Sequence, residues 1–168
     1  MQIRKAELKD FDQVMEILQD GRNQLAESGI DQWQGDYPNP DHVRQDIENG
    51  YAYLAKADDG ETVGTLTIIP APDHAYDQLD GHWQVDTNDY VTIHSDHTGH
   101  GYASQLYQAV INYFTSGFND IKSVRVDTHE DNLPMQHLIE KSGFKRVGIL
   151  HGVYRENEIS YVYELLAA

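Results

Sequence analysis

The chain has 168 residues, 39% of them hydrophobic, enough to bury the core of a single domain spanning residues 1–168. Its 28 acidic residues against 12 basic ones, a formal net charge of -16, oppose extended contact with nucleic acid phosphates or an anionic bilayer and favour a cationic partner. The absence of cysteine excludes a disulfide framework, a thiolate zinc cluster and a cysteine nucleophile. The opening MQIRKAELKD is polar, and no run approaches the roughly 18–20 apolar residues of a membrane span, so a cytoplasmic protein is expected.

Gln2 to Ala6 suits a first strand. A helix then starts at Asp10 with a capping-box pattern to Gln13, carries Phe11, Val14, Ile17 and Leu18 on one face, and stops near Gly21. Asn39-Pro40 reads as N-cap and first-turn proline of a second helix bearing Val43 and Ile47. From Tyr51 the period changes. YAYLAKA and TVGTLTII make two antiparallel strands about the Asp58-Asp59-Gly60-Glu61 turn. Pro70 to Asp89 reads as mostly irregular, Tyr90 to His94 as a short strand, and Gly101 opens a helix with Ala103, Leu106 and Val110 on one face, ended by Gly117. Ile121 to Thr128 is a strand and Leu133 to Ser142 a helix. Phe144 to Leu150 and Ser160 to Leu165 are strands joined around HGVYREN. The order βααβββαβαββ predicts an α/β fold with a mixed sheet covered by helices.

The stretch IHSDHTGHGYAS, Ile93 to Ser104, follows a strand and opens a helix, the context in which unpaired amides and the positive end of the helix dipole bind phosphate. Gly99 and Gly101 let a phosphate approach the main chain, Ala103 keeps the first turn narrow, and Ser104 adds a hydroxyl. A plain strand-to-helix connection carries the same residues.

This loop resembles the acetyl-CoA signature of the GNAT N-acetyltransferase family, Q/R-x-x-G-x-G/A, with Thr98, Gly101 and Ala103 at its specified positions. Thr98 departs from the pattern, so the resemblance leaves the phosphate grip to backbone amides from Thr98 through Gly99, His100, Gly101, Tyr102 and Ala103 to Ser104, with His97 or His100 assisting. DTHEDNLPMQHLIEKSGF, Asp127 to Phe144, resembles the family segment N-x-x-A-x-x-L-Y-x-x-x-G-F: Asn132, Leu138, Gly143 and Phe144 match. Met135 replaces the alanine, and Ile139 stands where the family commonly has the tyrosine that protonates the departing thiolate.

The resemblance implies the acyl-CoA N-acyltransferase fold: a mixed, mostly antiparallel central sheet, splayed in the middle, with helices on both faces. It further implies direct acetyl transfer from acetyl-CoA, a cosubstrate, to the primary amine of a small molecule or peptide. No metal is required, and relatives are often homodimers. Pantetheine would pair with the strand at Val91 and Ile93, and Asn132 would bond it or cap its own helix. Candidate bases are His129, chosen first, with His94, Asp127 and Glu130. With Ile139 unable to donate, Tyr107, Tyr154 and Tyr161 remain as acids. Trp33 and Tyr37 would line the acceptor wall, and Trp83 and Tyr76 are further aromatic candidates.

Two other readings use the same residues: a noncatalytic CoA-sensing or partner-binding domain of this fold, and a metal site of His94, His97, His100 and Asp96. If His97 and His100 contact the pyrophosphate, acetyl-CoA affinity is expected to weaken as pH rises through about 6.5. A flat titration profile across that range would leave the backbone as the only holder.

Overall fold

The computed structural model describes residues 1–27, 38–98, 101–116 and 119–167, with the side chains at 25, 26 and 95–98 set aside. They fall into two compact units: residues 1–68 with 95–109, and residues 69–94 with 110–168.

In the first unit, β1 (Gln2–Lys5), β2 (Ala52–Lys56) and β3 (Thr62–Pro70) pair in sequence as antiparallel neighbours, Ile3 opposite Ala55 and Leu54 opposite Thr65. Helix α1 (Phe11–Glu27) starts directly after Asp10, as expected, and ends later than the sequence suggests. Asp10 does not cap it through Gln13. It closes a 3₁₀ turn at Leu8–Asp10, where its carboxylate accepts the Glu7 amide at 2.8 Å and pairs with Arg4 at 3.0 Å. Gly21 does not end α1 either; it lies buried one turn beyond Leu18, continuing the stripe of Val14 and Leu18 into the core of Ala6, Val43, Ile47 and Leu54. A glycine read as a stop is a small residue on a packed face. Helix α2 (Pro40–Glu48) begins as expected, Asn39 accepting the amides of Asp41 and His42 at 3.0 and 3.1 Å.

The irregular segment after β3 holds a 3₁₀ turn, His74–Gln78, and a two-residue strand, β4 (Asp80–Gly81). Strand β5 (Tyr90–Thr98) runs four residues past His94, because its polar second half has no apolar period to read. Helix α3 (Ala103–Thr115) buries Leu106, Val110 and Phe114 and leaves Tyr113 exposed. Then come β6 (Ser123–His129), α4 (Leu133–Lys141), β7 (Lys145–His151) and β8 (Ile159–Leu166). Asn132 caps α4, accepting the Met135 amide at 3.2 Å, and Ile139 is fully buried.

In the second unit β5 runs parallel to β6, β6 antiparallel to β8, β8 to β7, and β7 to β4. The β5–β6 ladder ends at Ile93 opposite Val126, whereas β6 continues to His129 against β8. Two glycines bring β4 against β7: a Cβ on Gly148 would lie 2.5 Å from the Asp80 carbonyl oxygen, and one on Gly81 would collide with that of Val147.

Register partners share a face, so Tyr90, Thr92 and His94 of β5 lie on the side of Ser123, Arg125, Asp127 and His129 of β6 and Ser160, Val162 and Glu164 of β8. On that side Tyr76, Tyr90, Leu150 and Val162 form a core with Leu79 and Trp83. A buried charge pair ties the covering segment down. Arg125 Nε lies 3.2 Å from Glu164 Oε2, which also accepts the Ser123 hydroxyl at 2.6 Å, while Oε1 accepts the Gln84 amide at 2.6 Å. The guanidinium lies 3.7 Å from the Trp83 ring centre and 3.9 Å from that of Tyr90.

Removing one member of such a pair strands the other charge. Arg125→Met is expected to lower the unfolding free energy by about 3–5 kcal/mol in urea denaturation. Adding Glu164→Leu should recover part of it, and a double variant as unstable as the single would discount the charge pair.

Candidate active site

Where the β5–β6 ladder stops, four elements of the second unit contribute polar groups. Asp127 is the first residue of β6 past the last β5 pairing. Its carboxylate accepts the Tyr154 hydroxyl at 2.6 Å. Tyr154 stands in the β7–β8 hairpin, which is closed by the Gly152 amide on the Glu158 carbonyl at 2.8 Å and by left-handed Gly152 and Asn157. The Tyr154 ring remains nearly half exposed. As a residue Asp127 is only partly buried, but its carboxyl end is enclosed. Burial therefore pushes its pKa up, against the opposing hydrogen bond of Tyr154 and charge of His94. Burial and then the Asp127 charge raise the Tyr154 phenol well above its ordinary value.

Tyr76, on the 3₁₀ turn of the covering segment, is 3% exposed and sits against Trp83, ring centres 5.3 Å apart. Its hydroxyl has no hydrogen-bond partner of good geometry among the described residues. Burial first, then the charge of Asp127, raises its pKa as well.

His94 faces Asp73, Nε2 to Oδ2 at 2.8 Å. Asp73 is fixed twice more: its other oxygen accepts the Ala75 amide at 3.1 Å, capping the 3₁₀ turn, and its own amide donates to the Tyr90 hydroxyl at 2.8 Å. Burial alone would raise the Asp73 carboxyl; the hydrogen bond and charge of His94 outweigh it and leave it below its ordinary value. A carboxylate-oriented imidazole can take a proton in one fixed direction.

The remaining sequence candidates have other surroundings. The His129 Nδ1 accepts the Asp131 amide at 3.0 Å, and Nε2 lies 3.8 Å from Glu158, so the ring braces the turn into α4. Glu130 joins that turn by its backbone, its amide on the Ile159 carbonyl and its carbonyl receiving Gln136 Nε2. Tyr161, opposite Thr128, points to the other face, where Arg146 lies 3.4 Å from its ring centre. Tyr107 is buried in α3. Val91 and Ile93 are also buried, and both stand within the β5–β6 ladder, opposite Val124 and Val126.

In the first unit, Gly101 has φ +78, and nothing stands within 4 Å of where its Cβ would be. Tyr102 precedes α3, Ala103 begins it, Ser104 is exposed, and the first turn carries no acidic residue. The unpaired amides of that first turn are donors an anion can bind. Gly99, His100, Trp33 and Tyr37 lie outside the described residues, as do the side chains of Thr98, His97 and Asp96. Among the described residues no group of three or more His, Cys, Asp or Glu is placed to hold a metal ion, and no helix is long and apolar enough to cross a membrane.

Sequence reasoning named His94, Asp127, Tyr76 and Tyr154 separately but missed Asp73 and every pairing among them. Asp73 sits 21 residues from His94 in a segment without a period. Its one local signal is an aspartate in N-cap position before HAYDQ.

The model of the acetyltransferase (GNAT) family matches residues 12–144. An acetyltransferase of the GNAT family from Streptococcus agalactiae superposes with a TM-score of 0.83 at 30% identity, covering 98% of this chain and 94% of that one. Another from Listeria monocytogenes gives 0.68 at 20% identity over 98% and 93%. The spermidine N-acetyltransferase of Vibrio cholerae, solved with CoA and spermine, gives 0.68 at 14% identity over 98% and 94%, a likeness of fold. No functionally curated protein matches the sequence. The mixed α/β architecture with mostly antiparallel strands is that of these acetyltransferases, and the family match over most of its length places the chain in the GNAT family.

Proposed function

We propose that residues 1–168 act as one cytoplasmic acetyltransferase domain that moves the acetyl group of acetyl-CoA directly to a primary amine of a small molecule or peptide. The observation that carries the reading is the Asp73–His94 pair at 2.8 Å beside Asp127, in a chain of this family. The residues available for CoA fit it chemically: Gly101 has open space beside its backbone, and Tyr102, Ala103 and Ser104 lead into a helix start without acidic side chains. When bound, acetyl-CoA supplies a thioester carbonyl and a thiolate leaving group.

The protein's own task is to hold the amine and take its proton. His94, oriented by Asp73, is assigned the acceptor role ahead of His129, Glu130 and Tyr161. The ring of His129 is committed to its turn, and Tyr161 lies on the opposite face. Tyr154 is a poor acid, because its phenol already donates to Asp127 and is held above its ordinary pKa. Ile139, at the family's tyrosine position, is buried and has no proton to give. A thiolate of ordinary thiol pKa, about 8.5, leaves without a dedicated acid. Asn132 is assigned the cap of α4, its own amide donating to the His129 carbonyl.

Acetyl-CoA and CoA should each raise the melting temperature, and amine-dependent thiol release should follow. His94→Gln should lower kcat/KM by roughly 10²-fold or more, and Asp73→Asn by less, since it misorients the ring without removing it. Absence of stabilisation by either CoA species would overturn the reading.

The raised pKa of Asp127 has a stability consequence. An unfolded aspartate ionises near about 3.9, whereas the folded one holds its proton to higher pH. Between those two values the native state binds more protons, so stability falls as pH rises through that window and stays reduced above it. Asp127→Asn is therefore expected to melt above the parent protein at pH 7, the gap closing below about pH 3.9. An equal or lower melting temperature at pH 7 would contradict it.

A further inference from the structure

We propose that Tyr90 is a positioning residue for the transfer: its hydroxyl holds the Asp73 backbone where the Asp73 carboxylate meets His94. This rests on the assignment of His94 as proton acceptor and deepens it.

The spacing along β5 makes an intermediary necessary. Tyr90 and His94 share a face of the strand but lie about 13 Å apart along it at roughly 3.3 Å per residue, beyond direct contact. Asp73 spans the gap from the covering segment. Its amide donates to the Tyr90 hydroxyl at 2.8 Å, and its Oδ2 lies 2.8 Å from His94 Nε2. An ionised carboxylate only accepts, so in the neutral ring this contact puts the proton on Nε2 and fixes the tautomer.

Tyr90 is itself firmly placed. It is 6% exposed, the Arg125 guanidinium lies 3.9 Å from its ring centre, and it packs in one core with Tyr76, Leu150 and Val162. Its carbonyl accepts the Ala71 amide at 3.1 Å, so one residue grips the incoming segment twice, by backbone at Ala71 and by side chain at Asp73. Three further bonds run within the turn: the Ala75 amide to the Asp73 carboxylate, the Tyr76 amide to the Asp73 carbonyl and the Leu79 amide to the Tyr76 carbonyl. They shape the turn without setting its distance from β5.

The stack on Arg125 calls for a ring, which phenylalanine also supplies. The hydroxyl is the part that acts at Asp73, and removing it separates the two roles. In Tyr90→Phe the ring still covers Arg125 and Tyr76 still packs in the core, so the fold is kept while Asp73 loses its anchor. The titratable groups around the Asp73–His94 contact are His74 and Asp77, paired on the 3₁₀ turn, Asp127 on β6, and Tyr154, bonded to Asp127 from the hairpin. The Tyr90 hydroxyl bonds Asp73, so its removal changes the His94 titration through that carboxylate.

The test is an NMR titration of the histidine ring signals in the intact, ligand-free protein, His94 being assigned by its loss in His94→Gln. A carboxylate in contact favours the imidazolium, so Tyr90→Phe should lower the His94 midpoint by roughly half a pH unit, with His42 and His151 unmoved. The Asp73 amide should exchange slowly with solvent in the parent protein and roughly tenfold faster or more in the variant. In thiol release from acetyl-CoA with n-butylamine as acceptor, Tyr90→Phe should lower kcat roughly three- to tenfold and leave the KM for acetyl-CoA unchanged. In a His94→Gln background it should cost nothing more. An unmoved His94 midpoint, an unprotected Asp73 amide in the parent, or an equal kinetic loss with and without His94 would overturn the role. So would an equal shift of His151, which reports general loosening. Failure of acetyl-CoA and CoA to stabilise the parent would instead overturn the acetyltransferase reading, leaving the titration and the hold on Asp73 that it reads intact.

Discussion

Arg125 is the charge around which the second unit is organised, and its burial forces most of what surrounds it. A guanidinium 3% exposed needs a counter-ion, and Glu164, wholly buried on the neighbouring strand, supplies one. It needs cover from water, and Trp83 and Tyr90 provide it from two sides. Glu164 in turn draws in the Gln84 amide, so an otherwise periodless segment is fixed to the sheet at one end. The consequence travels further. Tyr90, placed by the stack, accepts the Asp73 amide, and Asp73 orients His94. A pair that adds little net stability against an apolar replacement of its volume thereby sets the position of the His94 imidazole.

Asp127 stands on the same face two residues along β6 from Arg125, and its situation is the reverse. Arg125 and Glu164 satisfy each other; Asp127 has a neutral phenol and a neighbouring histidine, and burial leaves its carboxyl pKa raised. Adjacent inward positions on one strand thus hold a settled charge and an unsettled one. The unsettled one lies just past the last β5–β6 pair, still opposite Val162 of β8. Stability lost at such a position is what a binding group can recover.

Much of the fold was legible because local chemistry and period agreed. Asn39-Pro40 and Asn132 are caps in sequence and in structure, and YAYLAKA with TVGTLTII alternates as paired strands do. The misreadings come where one residue type serves two purposes: Gly21 packs a helix face instead of ending the helix, and Asp10 serves Glu7 and Arg4 instead of Gln13. The site was legible only as separate residues. Strand parity places His94 and Asp127 on one face and Tyr161 on the other only once the β6–β8 register is known, and register is a long-range property. Asp73 was beyond reach altogether, and Tyr76 was legible only as an aromatic residue, since a segment without period gives no sign of what it covers.

The tyrosines show how environment decides role when residue type does not. A phenol gives up a proton readily when cations surround it; beside an enclosed carboxylate its ionised form is opposed by desolvation and by like charge. Tyr154 is therefore suited to hold a hydrogen bond through the reaction rather than to supply a proton to the leaving group. Tyr76 shares the same constraint, more deeply buried. With Ile139 buried in α4, neither Tyr76 nor Tyr154 beside Asp127 is tuned as an acid. In the reaction proposed above, deprotonating the amine is the step these side chains can assist, and the thiolate's own stability carries its departure.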